Sequence, residues 1–165
     1  MGLALPAGNT KPMVTNLSIH AGAFISATPI LNGSIFENAR ILIVRVDDTG
    51  ATGFVVSKLF NRRFNELTEF SDYPAFPMYE GGPVDPEHLY FIHRRPALIT
   101  DGVRVSDDIY FGGNFHAAIN LLKTGTISSS DVKILVGYCG WDNGELETEI
   151  EEGNWIITDH SSPFD

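Results

Sequence analysis

Apolar and polar positions change period several times along this chain, and each change predicts an element. Gly22-Ala23-Phe24-Ile25-Ser26-Ala27 reads as a short strand ending at Pro29. Arg40–Val46 is an apolar, β-branched run bounded by Asp47-Asp48-Thr49-Gly50, and Thr52–Ser57 follows it. Together they predict a β-hairpin with a four- or five-residue loop. From Arg62 to Phe70 the spacing turns helical, with Phe64, Leu67 and Phe70 on one face. Pro74-Ala75-Phe76-Pro77 breaks it. Met78-Tyr79-Glu80 runs as a strand into Gly81-Gly82-Pro83. Leu89–His93 is another strand, and Asp108–Phe111 a short one before Gly112-Gly113.

The second half is clearer. Ala118, Leu121 and Leu122 mark a helix near Phe115–Lys123, stopped by Gly125. Ser129-Ser130-Asp131 turns the chain into Val132–Tyr138, a buried strand. A helix follows over Asn143–Glu152 and ends at Gly153, and Asn154–Thr158 closes as a strand. This irregular mixture predicts an α+β or mixed α/β domain around one sheet rather than a strict βαβ alternation. The 165 residues suit one domain. Residues 1–16 read as a flexible N-terminal lead-in and residues 17–165 as the domain.

Charge changes this picture at one place. The net charge is −10, and it is concentrated. Eight acidic residues and no Lys or Arg lie between Asp142 and Asp165, whereas the rest carries thirteen acids against eleven bases. Such a surface disfavours direct nucleic-acid binding, which depends on Lys and Arg neutralising phosphates. Arg62-Arg63 and Arg94-Arg95 are the only local basic pairs. No apolar run approaches the roughly 20 residues of a membrane span, and no signal-peptide pattern opens the chain. The single Cys139 excludes an internal disulfide, so the cytoplasm is the expected compartment.

Candidate chemistry is sparse. Glu80-Gly81-Gly82-Pro83 after a strand permits close backbone approach of a ligand or an anion-binding nest, or simply a turn. It matches no phosphate-loop or dinucleotide fingerprint. Gly140-Trp141 stands where a buried strand meets a helix, a common ligand position in α/β sheets. There Trp141 could stack on a planar ligand or pack over the sheet. His93 ends an apolar strand and reads as a general base or as an ordinary hydrogen-bonded histidine. Cys139 has no local base to activate it and reads as a packed side chain.

On the last helix, 100° per residue puts Glu145, Glu149 and Glu152 on one face and Glu147 and Glu151 on another. Leu146 and Ile150 form a buried stripe between them. That is a solvated helix rather than a metal site, which draws ligands from several elements. Neither a metal nor a cofactor is expected, and no catalytic set stands out.

Read in order, these segments resemble the YqgE/AlgH family of bacterial proteins. The matching stretches are Gly22–Pro29, Phe36, Ile41–Val44, Gly50–Val56, Tyr79–Val84, Phe91–His93, Val136–Trp141, Gly144–Ile150 and Trp155. Departures are Ser57-Lys58-Leu59 for the family's Asn-Lys-Pro, Cys139 for its Ala, and Asn143-Gly144-Glu145-Leu146 for its Pro-Gly-Gln-Leu. The resemblance implies an α+β fold with a bent or partly closed mixed sheet surrounded by helices. It brings a label of transcriptional regulation but no transferable catalytic residues.

Two functions are therefore expected to compete, and direct DNA binding is a third reading that needs a contiguous basic face. The leading one is a non-enzymatic regulatory or protein-interaction domain, acting on transcription indirectly, with Glu147 and Glu151 facing a basic protein partner. The alternative is a small-molecule-binding protein or an unrecognised enzyme. It would use a pocket formed by Glu80, Gly81, Gly82, His93, Gly140 and Trp141.

Overall fold

The hairpin forms with a tighter turn than its sequence suggests. In the computed structural model, which describes residues 18–158 and 162–164, β1 (Phe24–Ala27) precedes β2 (Arg40–Asp47) and β3 (Gly50–Val55). Only Asp48 and Thr49 separate β2 from β3. The Asp47 carboxylate accepts from the Thr49 amide at 2.9 Å and the Thr49 hydroxyl at 2.5 Å, so a side chain closes the turn. The lead-in of residues 1–16 lies outside the described residues, as do Asp159 and Asp165.

The segment expected as a helix over Arg62–Phe70 is instead β4 (Leu59–Arg63) followed by two 3₁₀ turns, Phe64–Glu66 and Thr68–Phe70. The spacing of Phe64, Leu67 and Phe70 fits three residues per turn as well as 3.6. The Glu66 carboxylate takes the Arg63 amide at 2.6 Å, and Leu67 between the turns is extended (φ −79°, ψ 132°). Burial of that apolar face still occurs: the Phe64 and Phe70 rings stack at 4.4 Å.

The remaining strands are β5 (Pro77–Glu80), β6 (Val84–His93), β7 (Val103–Ser106), β8 (Ile109–Phe111), β9 (Val132–Asp142) and β10 (Trp155–Thr158). The α-helices are α1 (Phe115–Lys123) and α2 (Glu145–Glu151). The sheet runs β10-β1-β2-β3-β9-β6-β8-β7, with β5 pairing both β4 and β9. All these pairings are antiparallel except β5 with β9. The fold is thus α+β with a mixed sheet, but two α-helices among the described residues do not surround it.

Long β9 organises the molecule. Its first half pairs with β5 and β6, and its last four residues pair with β3. At Gly137 (φ +71°) the strand bends, and a Cβ there would meet Gly82 O at 2.4 Å. One core packs α1 and Phe64 against Val132, Ile134 and Val136. A second lies on the opposite face and gathers Phe24, Leu42, Phe54, Ile92, Val105 and Leu135. Strands from both ends of the sheet line it, so the sheet curls towards closure. The third packs Leu146 of α2 with Ile41, Trp141 and Trp155. No helix among the described residues is long and apolar enough to cross a membrane.

Candidate functional site

Backbone proximity explains the two glycines after β5. Gly81 N donates to Val136 O at 2.8 Å, and Val55 N donates to Gly81 O at 2.8 Å. Gly81 therefore bridges β9 and β3. A Cβ on Gly81 would stand 2.4 Å from Gly137 O, and one on Gly82 2.2 Å from the Tyr138 carbonyl carbon. The glycines are required by strand-to-strand packing on that side. Buried Cys139 donates its thiol to Gly81 O at 3.5 Å, and burial pushes that thiol up to about 12. It is a neutral packed group, not an activated nucleophile.

Trp141 packs rather than presenting a stacking platform. It is buried, its ring meets Trp155 edge-on at 6.3 Å, and its indole N–H is used. Glu149 Oε1 accepts from Trp141 Nε1 at 3.1 Å and from Trp155 Nε1 at 2.9 Å. One carboxylate thus ties α2 to β9 and β10. The sequence placed Glu149 on an exposed acidic face. The two indole donors turn it inward instead.

His93 is fully buried. The Arg95 amide donates to Nδ1 at 3.1 Å, so Nδ1 is the acceptor and the proton sits on Nε2. Nε2 then donates to Gly112 O at 3.1 Å. Burial lowers its pKa, partly opposed by the Gly112 carbonyl. Both ring nitrogens are occupied, so this is the ordinary hydrogen-bonded histidine.

These segments do not converge. His93 pairs with Val132 at one end of β9, whereas Trp141 stands nine residues on, about 30 Å along a strand of ~3.3 Å per residue. Gly140 pairs with Thr52. Of the six residues, Glu80 and Gly82 share a cleft, while Gly81 is taken up by its bonds to β9 and β3. That cleft, of about 140 Å³, is also lined by Ile35, Phe36, Val55, Lys58 and Pro83. Sequence reasoning singled out neither Ile35 nor Lys58 as a site residue, although Lys58 is the one position that Ser57-Lys58-Leu59 shares with the family's Asn-Lys-Pro.

A larger, open concavity of about 550 Å³ runs beside α2, lined by Asp142, Asn143, Gly144, Glu145, Thr148, Glu149 and Glu152. Glu147 lies on the other side of the helix, in a recess with Val46 and Asp47, and Glu151 is exposed. Glu145 and Glu152 on one face and Glu147 and Glu151 on the other fall where helical spacing put them, and Glu149 alone is drawn onto the indoles. The basic pair Arg94-Arg95 faces Asp131 at 3.7 and 3.8 Å, which weakens it as a phosphate-binding patch. Among the described residues, Asp85, Glu87 and His88 bring donor atoms within 4.8 Å of one another at the surface. Asp85 is already committed to His88 Nδ1 and Tyr90 Oη, each at 2.6 Å.

Comparison with known proteins gives a consistent picture. The AlgH-like family model matches residues 24–164. A UPF0301 protein of Parabacteroides distasonis is 33% identical over 139 residues, covering 83% of this chain and 70% of the relative. One of Cytophaga hutchinsonii is 33% identical over 142 residues, covering 86% and 78%. Among solved structures, the AlgH protein of Pseudomonas aeruginosa superposes with a TM-score of 0.69 at 21% identity, covering 98% of this chain and 82% of that one. A Corynebacterium diphtheriae protein gives a TM-score of 0.69 at 19% identity, covering 89% and 79%. At such identities the structural likeness concerns the fold.

Proposed function

The chain belongs to the AlgH-like family, and from that premise we propose that it is a non-enzymatic regulatory or protein-interaction domain that recognises a basic partner. The observation that carries this reading is the acidic surface around α2. Asp142, Glu145 and Glu152 line its concavity, Glu147 and Glu151 extend it around the helix, and the sequence has no Lys or Arg after Lys133. Such a surface steers a cationic partner and discriminates against nucleic acid. Any role in transcription is then indirect.

The test compares partners retained by the full chain and by the Glu147→Gln/Glu151→Gln variant at low and physiological salt. Partners should be lost from the variant and should elute as salt rises. Retention that ignores both changes would remove this surface from consideration. In gel-shift assays at low salt the chain should leave duplex DNA unshifted. A second reading, a small-molecule-binding protein, is supported by the cleft beside Gly82, which Glu80 and Gly82 line together.

A further inference from the structure

We propose that the cleft beside the Gly81-Gly82-Pro83 turn takes a small zwitterion of the α-amino-acid class, an inference that rests on the small-molecule reading. Two charged residues of opposite sign line it, and their arrangement is unusual. Glu80 N donates to Lys58 O at 2.8 Å, one step beyond the Leu59–Tyr79 pair of the β4–β5 ladder. Lys58 and Glu80 are therefore cross-strand neighbours, with side chains on one side of the ladder.

Opposite charges so placed ordinarily close on each other. Here the Lys58 ammonium reaches instead to Ile35 O at 2.8 Å, and no ion pair joins it to Glu80 among the described residues. Ile35, Phe36, Val55 and Pro83 supply the apolar part of the wall. A cleft with a cation, a carboxylate and an apolar wall complements a molecule carrying a carboxylate, an ammonium and a hydrocarbon side chain. Lys58 would receive the carboxylate and Glu80 the ammonium, each as a charge-assisted hydrogen bond. The volume of about 140 Å³ lies below the roughly 300–1,000 Å³ of drug-sized sites, which suits a free amino acid with a short branched side chain.

The probe is L-leucine, titrated into the full chain and followed by backbone amide shifts. Two analogues each lack one charge: 4-methylpentanoate has no ammonium and 3-methylbutylamine no carboxylate. A leucyl dipeptide, whose charges stand further apart, separates a free amino acid from a peptide end. Leucine should move the amides of Val55, Lys58 and Gly82. Each analogue should bind about tenfold or more weakly, the usual scale for one lost charged hydrogen bond.

Lys58→Met should weaken both leucine and 4-methylpentanoate. Glu80→Gln should weaken leucine but not 4-methylpentanoate, a pattern that misfolding does not produce. If leucine moves none of these amides up to about 10 mM, an affinity below any useful site, the zwitterion site is overturned. Equal shifts from leucine and both analogues overturn it too, but leave the small-molecule reading standing. Tighter binding of the dipeptide replaces the free amino acid with a peptide end and overturns the assignment.

Discussion

Glu149 is the side chain whose surroundings assign it the clearest structural task. A carboxylate that accepts two indole N–H groups cannot be removed without leaving both donors unpaired. Hydrogen bonds to charged groups are worth about 1.5–3 kcal/mol each when well shielded, and Glu149 is only partly buried. Glu149→Ala should therefore cost about 1–3 kcal/mol in urea unfolding, and Glu149→Gln less, because its amide carbonyl still accepts. Two other residues make pH-dependent predictions. His93 has a folded pKa below its ordinary 6.5. The stability it contributes is therefore present above that value and lost as pH falls below it, because the unfolded chain takes up the proton. Its ring should remain neutral by NMR where a free imidazole is half charged. Cys139 runs the other way. With its pKa pushed from 9.0 to about 12, its contribution holds below pH 9 and fades as pH rises towards the folded value. Ellman's reagent should react with it at about pH 8 only in the unfolded chain.

At the scale of elements, the junction of β5, β6 and β9 is the rigid point. Gly81, Gly82 and Gly137 let three backbones approach more closely than any Cβ permits. Gly82→Ala should cost about 3 kcal/mol or more, or abolish folding, since atoms at 2.2 Å must move apart. Gly125→Ala is the control. It has a positive φ of +77° but nothing within 4 Å, so only the backbone penalty of about 1 kcal/mol applies. Chemical denaturation of the two variants checks the difference. Here the sequence was ambiguous for a physical reason. Two adjacent glycines announce a special backbone but do not say whether a ligand or another strand fills the space. The same limit explains Arg62–Phe70, where apolar spacing showed which face is buried but did not separate a 3₁₀ from an α period. β7 escaped notice because an edge strand with exposed Val103 and Arg104 has little burial to imprint on its sequence.

For the whole molecule, charge and sheet curvature matter most. Like charges crowd α2 while the rest is nearly balanced, so screening should relieve repulsion. Melting temperature should rise from about 20 mM to about 200 mM salt, as the Debye length falls to within the spacing of neighbouring carboxylates. The increase should shrink in a variant with Glu145, Glu147, Glu151 and Glu152 changed to Gln, and differential scanning calorimetry reads both.

Most strand runs, the two α-helices and the acidic segment follow from local pattern, because β-branched runs, amphipathic spacing and charge density are properties of neighbours in sequence, and the ordered motifs carry the family resemblance. Tertiary structure alone decided what each candidate residue touches. It set His93 at the end of β6 opposite the start of β9 and Trp141 near the far end of β9, turned Glu149 onto two tryptophans, and set Lys58 and Glu80 on one cleft without pairing them. Those outcomes depend on strand order and register, which bring together residues far apart in the chain, and no local pattern of side chains encodes that distance.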